Sequence, residues 1–203
     1  MLETAALISA FVTMFVVIDP IGLTPMFIAL TRGEDTRRRR SIALRACLIA
    51  AVLLMVFGLF GEALLGGIGI SMPAFQIAGG ILLFLTALDM LFDRRTPRRA
   101  GHAESVSDPS VFPLAMPLIA GPGAMASIIL LVGETSSWSG VVSVLLVMLA
   151  VVLIVFLLFM VATPVERILG HTGNMVVTRL LGMLLAALSV QFVLNGLLAV
   201  GAL

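Results

Sequence analysis

The chain has no lysine, one cysteine and two histidines among its 203 residues, and each scarcity removes a class of function. Without lysine no G-x-x-x-x-G-K-[ST] phosphate loop can be written, so this chain holds no ATP-driven motor. His102 and His171 both fall in polar connections. No apolar run carries an H-E-x-x-H zinc motif, and a nucleophilic serine inside such a run would find no histidine base. No catalytic residue, cofactor or metal site is therefore expected, and an enzyme is the poorest reading. Cys47 has no partner for a disulfide or a thiolate metal site and reads as a small apolar residue.

Apolar residues, by contrast, make up 61% of the chain, with a mean hydropathy of +1.21; an ordinary soluble domain has roughly 45–50%. At about 20 residues per crossing, six spans are predicted near 5–31, 42–65, 71–92, 111–133, 140–163 and 176–202. The runs are too long for membrane strands, and in lipid a helix satisfies its own backbone, so the expected fold is all-α integral membrane. The start MLETAALISA carries an acid and no basic region, so the first helix is expected to be retained rather than cleaved.

All twelve basic residues are arginines, at 32, 37–40, 45, 94, 95, 98, 99, 167 and 179, within or flanking the first, third and fifth connections. Positive residues favour the cytoplasmic side, so those connections are expected to face inward and both termini outward, toward the periplasm. Trp138 then falls at the outer interface. The run RRRR at 37–40 could instead be a nucleic-acid patch or a specific lipid site, but topology already accounts for it; the lipid bilayer, not nucleic acid, is the expected partner.

The one long polar segment, DRRTPRRAGHAESVSDPS at 93–110, reads as a cytoplasmic linker between residues 1–92 and 111–203. The halves echo each other. EALLGGIG at 62–69 and ERILGHTG at 166–173 share E-x-x-L-G-x-x-G, read as glycine-terminated helix ends. IAGGILLFLTALDML at 77–91 aligns with RLLGMLLAALSVQFV at 179–193, pairing Gly80 with Gly182 and Asp89 with Gln191. The same offset pairs Pro20 with Pro122. Three spans per half is an odd number, so the second half enters from the opposite face, giving two inverted three-helix repeats.

Both first helices of these repeats are interrupted near mid-span. FVVIDPIGLTP at 15–25 places Asp19, Pro20, Gly22 and Pro25 in an apolar run, and AMPLIAGPGAM at 115–125 places Pro117, Gly121, Pro122 and Gly123 in another. Proline lacks a donor and disfavours helix at the residue before it. Asp19–Pro20 reads as an N-cap and first helical position, restarting a half-helix, and Gly121–Pro122 can do the same. The first and fourth helices are thus expected to be broken near the midplane, each presenting backbone N–H groups and partial positive charge to a common centre. Asp19 at mid-span costs about 2.5–3.5 kcal/mol and is expected to face a cavity as a cap, a cation partner or a protonatable group. Thr24 and Ser127 join Gly and Ala as small walls. Gln191 and Asn195, four residues apart, share a helix face and serve either as interhelical hydrogen bonds or as part of a solute path.

FVVIDPIGLTPMFIALT at 15–31, PLAMPLIAGPGAM at 113–125 and LLGMLLAALSVQFVLNGL at 181–198 closely resemble the MarC family of inner-membrane proteins. The resemblance spans essentially the whole chain and is most specific at D-P-I-G-x-x-P and A-G-P-G. It implies a six-span protein of the bacterial inner membrane related to small amino-acid exporters, and it transfers no catalytic residue. Two N-terminal helix poles and one carboxylate suit a zwitterion. The expected function is a secondary transporter of a small solute, a small neutral amino acid first among candidates, with coupling to H+ or Na+ and homo-oligomerisation left open. A channel, or a non-transporting membrane partner or regulatory protein, are the rival readings.

Overall fold

The computed structural model describes residues 4–92, 108–135 and 137–201, and the backbone alone at 165–169 and 171. All regular structure among these residues is helical: α1 Thr4–Ile18, α2 Pro20–Leu30, α3 Thr36–Gly67, α4 Met72–Leu91, α5 Ser110–Ile119, α6 Pro122–Gly133, α7 Trp138–Met160 and α8 Ala162–Ala199. Five segments are long and apolar enough to cross a bilayer, with α1 and α2 counted together, and α5–α6, bent by 53°, gives a sixth if taken as one broken span. Large apolar side chains such as Leu48, Phe60, Leu146 and Leu184 lie exposed on the outside of the bundle, as a lipid-facing surface requires. The linker proper, 93–107, lies outside the described residues.

Local chemistry accounts for the boundaries. Asp35 and Ser71 cap α3 and α4 by accepting the N–H groups of Arg38 and Ala74, the second at 3.4 Å. Ser137 caps α7 in the same way through Gly140 N–H at 3.2 Å. α3 ends at Gly67, and the second glycine of the sequence motif that begins at Glu62, Gly69, turns the chain away just beyond it at φ +79°. In the matching motif near Glu166 the left-handed residue is the first glycine, Gly170, at φ +61°, and the chain stays helical on both sides of this kink. The glycine break expected there is present, and the stretch between the spans is helical on both sides of it rather than irregular.

α5 is wound loosely. Pro113 and Pro117 cannot donate, and Leu114 and Ala120 donate instead to carbonyls five residues back, those of Pro109 at 3.2 Å and Ala115 at 2.9 Å. Phe112 and Met116, each crowded by the proline that follows, are extended at φ −128° and −131°. Both peptide bonds into these prolines are cis.

α4 and α8 run antiparallel along a glycine seam. Gly196 lies against Pro73 and Ile77, Gly80 against Ser189 and Val193, and Gly182 against Ala87, Met90 and Leu91. Adding 102 to Gly80 gives Gly182, and subtracting 102 from Ser189 and Val193 gives Ala87 and Leu91, so two neighbours of each glycine correspond. Other packing partners correspond too: α3 packs on α5 and α6 as α7 packs on α1 and α2, and α4 packs on α6 as α8 packs on α2.

Contacts also sort the connections by end. Arg45 reaches Asp108 at 3.5 Å, and Phe27 near the end of α2 stacks on Phe159 near the end of α7 at 4.2 Å. These place the first connection, the start of α5 and the end of α7 together. Asp108 accepts from Ser110 Oγ at 2.6 Å and Ser110 N at 3.0 Å, and these bonds, with Arg45 and Arg38 behind them, hold its carboxyl below the usual carboxylate range. At the other end Gly133 lies against Met72, bringing the end of α6 to the start of α4.

The seam makes a direct prediction. A Cβ on Gly80 would come within 2.7 Å of both Ser189 O and Val193 Cγ2, whereas one on Gly66 meets nothing within 4 Å. Gly80→Val should therefore lower stability by roughly 1–3 kcal/mol, read as a lower melting temperature in detergent, with Gly66→Ala close to wild type.

Candidate functional site

The break in the first span is one residue long. Asp19 has φ 55° and ψ 63°, the left-handed region that small polar residues tolerate best after glycine. Its N–H still donates to Phe15 O at 2.9 Å and its carbonyl still accepts Leu23 N–H at 3.0 Å, so helical bonding passes across the interruption. Pro20 has no donor to offer, and the N–H of Gly22 donates to Asp19 Oδ1 at 3.1 Å. Asp19 therefore caps α2 as expected from sequence, but from a left-handed backbone rather than the usual extended one. A side chain at position 22 would run into the Asp19 carboxylate, which explains the glycine. Thr24 hydrogen-bonds back to Pro20 O at 3.1 Å, and Pro25 is half-buried.

The second break is built on the same register with different means. Gly121 is the N-cap of α6, Pro122 its first residue, and Met125 N–H donates to Gly121 O at 2.9 Å, as Leu23 does to Asp19. Gly121 has no side chain with which to cap. A Cβ there would sit 2.5 Å from Pro117 O, so the carbonyl of α5 closes over the spot instead. By helical geometry the first-turn N–H groups of Gly123 and Ala124 lack intrahelical acceptors. The sequence reading treats the two helix poles as equivalent; the structure makes them unequal, because Asp19 already occupies the α2 pole.

The two breaks meet. A Cβ on Gly123 would lie 3.5 Å from Val17 Cγ1 and 2.9 Å from Leu83 Cδ2, so the first turn of α6 stands against the last turn of α1. Because α2 ends at the Arg45–Asp108 end and α6 at the Met72 end, the half-helices leave this point in opposite directions. Asp19, Thr24 and Ser127 are buried, at 0%, 1% and 0% exposure, while Pro122 is exposed. Sequence reasoning missed Val17 and Leu83, since apolar residues are everywhere in these spans and only packing singles them out.

Ser127, like Thr178 of α8, departs from the hydroxyls that bond back along their own helices. Thr24, Thr31, Thr86 and Ser143 bond to the carbonyl four residues back and Ser189 to the one three back. Ser127 Oγ is buried with no hydrogen-bond partner among the described residues. Its Cα–Cβ bond tilts toward the α6 N-terminus, one turn above Gly123. Such a group costs about 1–3 kcal/mol unless something satisfies it.

Gln191 and Asn195 lie elsewhere. They share a face as predicted, but Gln191 Nε2 donates to Asn195 Oδ1 at 2.7 Å on an exposed part of α8. Gln191 is two residues from both Ser189 and Val193, which face α4, and so points roughly the other way. This corrects the expectation of a bundle-facing pair: it makes a bond within one helix. Of the residues singled out from sequence, the structure brings together Asp19, Pro20, Gly22 and Thr24 on one side and Gly121, Pro122, Gly123 and Ser127 on the other. Pro117 supplies the carbonyl beneath Gly121.

Residues 4–200 match the family model described as MarC family integral membrane protein. A UPF0056 membrane protein of Archaeoglobus fulgidus is 40% identical over 196 residues, covering 93% of this chain and 91% of that one. One from Methanocaldococcus jannaschii is 34% identical over 194 residues, covering 94% and 95%. The UPF0056 inner membrane protein YhgN of Escherichia coli is 32% identical over 194 residues, covering 94% and 95%. No solved structure gives a significant match.

Two substitutions separate capping from the open hydroxyl. Gly22→Ala should displace the Asp19 carboxylate and lower the melting temperature, by roughly the 1 kcal/mol that a lost N-cap costs. Ser127→Ala should raise stability by about 1 kcal/mol, since it removes an unsatisfied hydroxyl; both are read by thermal unfolding in detergent.

Proposed function

The chain belongs to the MarC family of integral membrane proteins, and from that premise we propose that it is a secondary transporter of a small solute across the bacterial inner membrane. The solute we favour is a small neutral amino acid. The observation that carries this reading is the meeting of two interrupted helices, α1–α2 and α5–α6, with oppositely directed half-helices starting beside each other. Paired interruptions in inverted repeats mark the binding site in secondary transporters. The matched neighbours of Gly80 and Gly182, and the exchange of packing partners between halves, support two inverted repeats over 1–92 and 111–203 and six crossings. Clustering of arginines at the Arg45–Asp108 end supports placing that end in the cytoplasm and both termini outside.

Within this reading the solute carboxylate goes to the first turn of α6, where Gly121 leaves N–H groups open and Ser127 offers a hydroxyl. The ammonium group, or a coupling H+ or Na+, goes to Asp19. Close packing at Gly123, where an added Cβ would meet Leu83 at 2.9 Å, favours a solute with a small side chain. Burial of Asp19, Thr24 and Ser127 favours alternate exposure over a standing channel.

Asp19→Asn tests the charge apart from the cap. An asparagine oxygen can accept Gly22 N–H and asparagine tolerates the left-handed backbone, so stability should hold within about 0.5 kcal/mol. Uptake of labelled alanine or glycine into proteoliposomes should saturate for the wild type and fall at least tenfold in the variant, by the cost of removing one partner of a buried charge. Unchanged uptake would remove Asp19 from the mechanism; unsaturable flux in the wild type would favour the channel.

A further inference from the structure

Arg37–Arg40 take no part in the proposed transport. They occupy the first turns of α3, where the helix dipole is already positive and favours acids rather than cations. Most of the neighbouring charge is answered within the chain. Arg38 pairs with Glu34 at 3.2 Å, Arg45 with Asp108 at 3.5 Å, and Arg39 lies over the Phe27 ring at 5.6 Å. Arg37 and Arg40 are exposed and form no ion pair among the described residues. They are three residues apart, and exposed Ser41 follows Arg37 by four, so two guanidinium groups and a hydroxyl share one patch.

An apolar stripe continues from that patch down the same helix. Leu44, Leu48, Val52, Val56 and Phe60 recur every four residues and are 47%, 56%, 58%, 48% and 62% exposed. From Leu44 to Phe60 this covers about 24 Å of helix axis, more than the depth of one leaflet. A cation patch at the interface, joined to an unbroken apolar track into the hydrocarbon, has the layout of a phospholipid. Two guanidinium groups with no ion pair among the described residues, together with the helix dipole, favour a headgroup of net negative charge; a zwitterionic headgroup would bring its ammonium into the same positive field.

We propose that Arg37, Arg40 and Ser41 bind the phosphate of an anionic phospholipid whose acyl chain lies along Leu44, Leu48 and Val52. This site is separate from the helix breaks, and its test does not depend on transport. The experiment is native mass spectrometry of the purified protein in uncharged detergent, titrated with phosphatidylglycerol or phosphatidylcholine of identical chains, alongside thermal unfolding. Phosphatidylglycerol should be retained preferentially and raise the melting temperature. Arg37→Gln/Arg40→Gln should weaken its binding about tenfold or more, while Arg179→Gln, at another exposed arginine, should leave the preference intact. Inorganic phosphate and a short-chain phosphatidylglycerol should stabilise little, because the acyl track then goes unused. Equal retention of both lipids by the wild type, an undiminished preference in the double variant, or full stabilisation by inorganic phosphate would each overturn the proposal.

Discussion

Backbone polar groups in hydrocarbon must be satisfied by the protein itself, and this constraint shapes the region around both breaks. Proline at 20, 25, 113, 117 and 122 removes donors from segments that otherwise read as plain spans. The chain answers in two ways. At the first break Asp19 turns left-handed and takes the Gly22 N–H on its carboxylate, which in turn requires glycine at 22. At the second, α5 loosens to bonds spanning five residues and lays Pro117 O against Gly121, which in turn requires glycine there. The same problem, solved by a side-chain carboxyl on one side and by slack winding on the other, leaves one helix pole filled and the other open.

The glycine seam of α4 and α8 stands apart from this irregularity. Both helices are well wound where they meet, and the surroundings of Gly80 and Gly182 share positions 102 residues apart. In the proposed transporter this seam is the stiff element, while the loosely wound α5 and the single-residue break at Asp19 are where little helical bonding must change for the halves to shift. Glycine serves opposite purposes in the two places. At Gly80 and Gly182 it permits close approach of regular helices, and at Gly22 and Gly121 it makes room for atoms that satisfy broken ones.

Much of this was legible in the sequence because its cause is local. Asp-Pro and Gly-Pro inside apolar runs announce helix restarts, and the structure starts α2 at Pro20 and α6 at Pro122. The offset of 102 that pairs Gly80 with Gly182 also pairs their surroundings. What stayed hidden depends on partners. Asp19 could cap from either backbone region, and the choice follows from keeping the Phe15 and Leu23 bonds across the break. The side of α8 that carries Gln191 and Asn195 cannot be told until α4 is known to take the opposite side. The shared E-x-x-L-G-x-x-G motif also used a different glycine in each half, Gly69 and Gly170, so a common pattern did not enforce a common geometry.

Ser127 and the first turn of α6 form the polar end of the proposed site, with Asp19 across from them. The most direct measurement is an experimental structure of the purified protein with glycine or alanine at saturating concentration. The account predicts solute density between Asp19 and the Gly121–Ala124 turn, with the carboxylate toward α6 and Ser127. Solute bound elsewhere, or no density between the breaks with their side chains still closed over it, would contradict it.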